Sequence, residues 1–130
     1  MYKKTTHDIQ VCVSPVFLDE QSDPYSNHYV WSYNISIENL GKDSVQLKRR
    51  NWIITDKMGK TVHVSGDGVL GEQPTLQTGD SFQYTSGVPL TSPSGIMHGS
   101  YFMLTDNGET IEIEIPVFSL DSPYDNSSIH

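Results

Sequence analysis

The sequence predicts an all-β protein, and three observations carry that prediction. Apolar and polar residues alternate with a period of two in one segment after another, as strands with one buried face require. Clusters of Gly, Pro, Asn and Asp separate those segments. No segment sustains the apolar period of a helix over about ten residues, so helix beyond a single turn is not expected. Short strands joined by regular turns give a β-sandwich of the immunoglobulin or fibronectin type III kind, with about seven strands.

The first strand expected is "DIQVCV", where Ile9, Val11 and Val13 alternate with Asp8, Gln10 and Cys12. "HYVWSYNISIEN" places Tyr29, Trp31, Tyr33, Ile35 and Ile37 on one face, which should be the core face. "VQLKRRNWIITD", the short "TVHVS", "SFQYTS" with Phe82 and Tyr84, and "GSYFMLTD" follow. The last is "ETIEIEIPVF", with Ile111, Ile113 and Ile115 inward and Glu112 and Glu114 outward, where their charges would guard an exposed edge. Turn chemistry in "QSDPYSN", "ENLGKD", "DKMG", "GDGVLG", "QTGD", "SPSG" and "DNGE" joins these runs, and Asp106-Asn107-Gly108 signals a hairpin between the last two strands. Residues 1–120 thus make one sandwich domain, and the polar end "DSPYDNSSIH", residues 121–130, is expected to be a flexible tail.

Composition narrows the partners. The chain has 130 residues, the size of one domain. Its formal charge of −8 repels nucleic acid, so no nucleic-acid binding is expected. Cys12 is the only cysteine, which rules out an intrachain disulfide. "MYKKTTHD" lacks the apolar run of a signal peptide, and no stretch is apolar enough to enter a membrane, so a cytoplasmic protein is expected, as monomer or homodimer.

"GDGVLG", residues 66–71, has the Gly-x-Gly-x-x-Gly spacing of a dinucleotide-binding turn, with Gly66, Gly68 and Gly71 as its glycines. That mechanism needs a helix opening at the glycines and an acidic residue about 20 positions on. Pro74 stands where the helix interior should be, the region "SGVPLTSP" offers no carboxylate, and Asp67 and Glu72 crowd the phosphate site with negative charge. Two readings remain. The glycines supply positive φ in a loop between strands, or they also form a nest of backbone N–H groups that binds a phosphate-type anion without a helix.

Other candidate chemistry is thin. His7, His28, His63, His98 and His130 show no short ligand spacing, so no metal or other cofactor is expected. Asp19, Glu20 and Asp23 share one loop that matches no Ca²⁺-binding pattern. Cys12 lies in a strand, where nothing activates a thiol, and Glu112 and Glu114 read as the outer face of a strand. No catalytic set emerges, so the protein is expected not to be an enzyme. "LKRRNW" is the single basic cluster. If the strand continues through it, Lys48, Arg50 and Trp52 share a face and Leu47, Arg49 and Ile53 the other. Arg50 beside Trp52 is either a binding hot spot or an arginine stem covering a core tryptophan.

The blocks "RNWIITDKMGKTVHVSGDGVLGEQPTL" and "GDSFQYTSGVPLTSPSGIMHGSYFML", with "QSDP" and "YNISIEN" before them and "EIEIPVFSL" after, resemble the ApaG (CorD-like) family over residues 7–120. The resemblance implies a fibronectin type III-like sandwich. It also implies a link to cobalt resistance and magnesium efflux, an uncharacterised biochemical function without established catalysis, and, from the domain's use in eukaryotic F-box and polymerase-interacting proteins, protein–protein interaction. The expected function is therefore a non-enzymatic module that binds an unknown protein partner through Arg50, Trp52 and the loops at 66–74 and 86–95. The alternative is a sensor of a small anion, such as pyrophosphate or a nucleotide, or of a metal–anion pair, using the glycine loop.

Overall fold

The computed structural model describes residues 1–125, which form two antiparallel sheets packed as a sandwich. One sheet has the order β1 (Tyr2–Thr6), β2 (Ile9–Phe17), β3 (Tyr29–Asn39), β7 (Ser81–Leu90). The other has the order β5 (Thr61–Asp67), β4 (Val45–Asp56), β8 (Ser94–Thr105), β9 (Thr110–Asp121), with the short β6 (Thr75–Leu76) paired to β4. Two single turns of 3-10 helix, Asp19–Gln21 and Pro24–Ser26, are the only helix among the described residues.

Two strands exceed the expected set. β1 reads "YKKTT", too polar to show alternation, because it is an edge strand whose middle residues face solvent. A two-residue turn with positive φ at His7 and Asp8 folds it onto β2, from Thr6↔Ile9 to Tyr2↔Val13. β6 is only two residues long, below any periodic signal, yet its Leu76 is buried.

The inner faces follow the alternation in β3 and in the first half of β9, before a register shift against β8 between Met97 and Gly99 brings both Ile115 and Phe118 inward. Tyr29, Trp31, Tyr33, Ile35 and Ile37 are all buried, as are Ile113 and Ile115, and Ile111 packs against them. β4 departs from simple alternation. Its register against β8 shifts between Leu47 and Arg49, so a bulge at Lys48 inserts one residue. Leu47 and Trp52, expected on opposite faces, therefore both point inward, at 1% and 3% exposed. Arg50 follows Trp52 inward, while Arg49 is exposed.

The two lateral seams of the sandwich differ. At the β1–β9 seam, Lys4 Nζ lies 2.7 Å from Glu114 Oε2 and Ser119 N–H donates to the Tyr2 hydroxyl. At the other seam, between the edges of β5 and β7, the sheets leave clefts. Residues 121–125, expected as the start of a flexible tail, are held to the sandwich. Asp121 closes β9 and accepts the Trp31 indole N–H at 2.8 Å, Tyr124 donates to Asp19 and packs on Phe17 and Tyr29, and Lys57 pairs with Asp125 at 2.6 Å. Residues 126–130 of the expected tail lie outside the described residues.

Candidate functional site

The polar cleft of the open seam holds about 300 Å³ and is assembled from four strands and one loop. β4 contributes Arg50 and Trp52, β3 Tyr33, and β7 Tyr84 and Ser86, while β5 and the following turn supply Gly66, Leu70 and Gly71. A second lobe shares Tyr33, Arg50, Trp52 and Ser86 and continues along the seam to Ile54, Val64, Pro89 and Met97, adding about 250 Å³. The seam thus has a polar end and an apolar end.

Arg50 dominates the polar end. Its Nη1 donates to the carbonyls of Asp67 at 3.1 Å and Gly68 at 2.9 Å. No carboxylate pairs with it among the described residues, and its Nε and Nη2 groups make no hydrogen bond there. Arg50 is half-buried as a residue, and its unused donors face the cleft with no counter-charge among the described residues, which leaves them available to an anion. Behind it the Tyr84 and Tyr101 hydroxyls hydrogen-bond at 2.5 Å. Burial pushes the Tyr33, Tyr84 and Tyr101 hydroxyls up from the usual tyrosine range, and the Arg50 charge pulls each back only in part. They stay protonated donors at neutral pH.

The three glycines do three different jobs. Gly66 is still within β5, and the guanidinium lies over it, so that a Cβ there would meet Nη1 at 3.0 Å. Gly68 has φ +59°, and a Cβ would stand 2.1 Å from the Glu72 carbonyl. Gly71 has φ +79° beside Leu70 at φ +49°, the two central residues of a type I′ turn closed by reciprocal Val69–Glu72 hydrogen bonds of 2.9 Å. The N–H groups of Gly68, Val69 and Glu72 are spent on Lys48 O, Glu72 O and Val69 O. The Asp67 and Gly68 carbonyls are held by Arg50, while the Leu70 and Gly71 N–H groups have no acceptor among the described residues.

The remaining candidates scatter. Trp52 is 3% exposed and makes edge contacts with Tyr33 and Phe118, so it is a core residue forming the cleft wall. The segment 86–95 is mostly strand, with only residues 91–93 between β7 and β8. His63 and His98 flank Ile53 in register on the outer face of their sheet, and no three His, Cys, Asp or Glu residues gather into a metal-holding group among the described residues. Asp19 and Asp23 accept hydrogen bonds from Tyr124 and Ser26. Leu70 and Ser86 fall within the spans 66–74 and 86–95 expected from the sequence, whereas Tyr33 and Tyr84 are not expected from it as site residues. Tyrosines at inward strand positions beside a sheet edge are the signal available for these two.

A sequence model of the ApaG domain matches residues 19–105, a span that holds every cleft residue named here. The chain belongs to the ApaG family. This ApaG-family chain is 52% identical over 130 residues to Protein ApaG of Paramagnetospirillum magneticum, covering 100% of both, and 53% identical over 129 residues to Protein ApaG of Bradyrhizobium diazoefficiens, covering 99% and 98%. Its fold is similar to the crystal structure of an ApaA protein from Bordetella pertussis, with a TM-score of 0.88 and 41% identity over 93% of this chain and 98% of that one. No helix among its described residues is long and apolar enough to cross a membrane.

Proposed function

We propose that this ApaG-family chain is a non-enzymatic binding module of the cytoplasm that receives part of another protein in the open seam between β5 and β7. The observation that supports this most is Arg50: a half-buried cation with free donors, facing a cleft and matched by no carboxylate among the described residues. Any part in cobalt or magnesium handling then runs through the bound protein. Photo-crosslinking from a benzoylphenylalanine placed at Leu70, the exposed lip of the cleft, tests the reading. The expected result is one discrete protein adduct from position 70 and none from position 96 on the outer face. Adducts from position 96 alone would contradict it.

A second reading uses the same guanidinium to hold a small phosphate-type anion. It is favoured by the unused Arg50 donors and by the Leu70 and Gly71 N–H groups, which have no acceptor among the described residues. Inorganic phosphate shifting the Gly66 and Leu70 amide resonances as strongly as any peptide would support it.

A further inference from the structure

Resting on the binding-module reading, we infer that the seam takes one extended peptide strand, added to the edge of β5, carrying an acidic residue two positions from an apolar one. β5 is bonded to β4 alone among the described residues, so one whole row of its backbone N–H and C=O groups lacks a strand partner. Such edges accept extended peptides, with main-chain hydrogen bonds giving affinity and alternate side chains giving specificity.

The side chains facing the added strand set its pattern. Val62, Val64 and Gly66 lie opposite Ile54, Trp52 and Arg50 in register, which makes them the inward row of β5. Val62 and Val64 are nevertheless 45% and 40% exposed, because the β7 sheet does not reach over them. Two residues along the same row, the Arg50 guanidinium crosses Gly66 to the β5 edge and anchors on the Asp67 and Gly68 carbonyls. On an added strand, side chains two residues apart point the same way and stand roughly 6.6 Å apart, the spacing from Val64 to Gly66. A carboxylate near Gly66 meets Arg50, and an apolar side chain near Val64 enters the lobe of Ile54, Pro89 and Met97.

Charge limits the peptide to few acids. The chain's net charge is −8, so a run of acidic residues is repelled while a single carboxylate on the guanidinium is not. Leu70 supplies an independent observation. Its φ of +49° belongs to the type I′ turn, but its apolar side chain, 63% exposed at the lip of this cleft, is not packed in the core and lies open to an added strand.

The test selects from a random library of peptides of about ten residues, enough for a strand with flanks, against the full chain. The enriched peptides are then titrated into isotope-labelled protein. The expected result is enrichment of an acid–x–apolar pattern, shifts of the Val62, Val64, Gly66 and Leu70 amides, and affinity weakened about tenfold or more by Arg50→Met. Val64→Glu, at a position 40% exposed, should weaken binding to a similar degree. Peptides that shift these amides without the pattern would overturn this inference and leave the binding-module reading standing. A library that yields no peptide perturbing the seam would overturn both. Self-association through β5, seen as concentration-dependent sedimentation that Val64→Glu abolishes, would replace the peptide with a second copy of the chain and so overturn it as well.

Discussion

The guanidinium of Arg50 rests on the α-carbon of Gly66, so that a methyl group added there would lie 3.0 Å from Nη1 and 3.1 Å from Nη2. Gly66→Ala therefore displaces the far end of a flexible side chain and should cost about 1 kcal/mol or less of stability. Gly68→Ala is different in kind. Its Cβ would collide with the Glu72 carbonyl at 2.1 Å, at φ +59°, for an expected cost of about 3 kcal/mol. Urea titrations of the two variants check the order, and a larger loss for Gly66→Ala would contradict it.

Leu70 pays for its place in the type I′ turn with φ +49°. Asparagine tolerates that conformation better, so Leu70→Asn should raise stability by about 0.5 kcal/mol. The same variant should weaken ligand binding at the cleft, which would separate a residue kept for contact from one kept for folding. Thermal unfolding and a binding titration on the same preparation read both effects.

The buried tyrosines predict alkaline sensitivity. An exposed tyrosine ionises near pH 10, whereas burial first, and for Tyr101 also the neighbouring Tyr84, keeps these hydroxyls protonated to higher pH in the folded chain. Above that pH the unfolded chain holds fewer protons than the folded one. Stability is therefore full below pH 10 and falls as pH rises beyond it, by about 1.4 kcal/mol per pH unit for each such tyrosine. Tyr84→Phe should make the alkaline slope shallower by about that amount, while costing about 1 kcal/mol at neutral pH because Tyr101 loses its hydroxyl partner. An unchanged slope in denaturant titrations between neutral pH and about pH 11 would refute this.

Asn39, fully buried, donates to the carbonyls of Asp43 at 2.8 Å and Leu76 at 3.0 Å and accepts the Gly41 N–H at 2.9 Å. It ties the β3–β4 connection and β6 to the core. Asn39→Ala should cost about 3 kcal/mol, since it strands buried backbone groups, and hydrogen exchange at Gly41 should accelerate.

The strands were legible wherever one face is buried, as the five inward residues from Tyr29 to Ile37 show. β1 was not, because Lys3 and Lys4 sit on a solvent-facing edge and carry no apolar period. The parity of β4 was not, because a bulge at Lys48 depends on the partner strand, which the local sequence does not display. At the site, Arg50 and the glycine loop stood out in the sequence as separate features, and only tertiary structure shows that one lies on the other. Tyr33, Tyr84 and Ser86 come from β3 and β7, distant in sequence from Arg50, and the packing of one sheet on the other brings them to one cleft.

On the function proposed above, Arg50 is held ready for an acidic group of a bound protein. A double-mutant cycle tests it most directly, crossing Arg50→Met in the protein with replacement of the acid by its amide in a peptide that binds the seam, with affinities from calorimetry. The expected coupling energy between the two changes is about 1.5 kcal/mol or more. Effects that add to within about 0.5 kcal/mol would show that the guanidinium and the acid do not meet, and would contradict it.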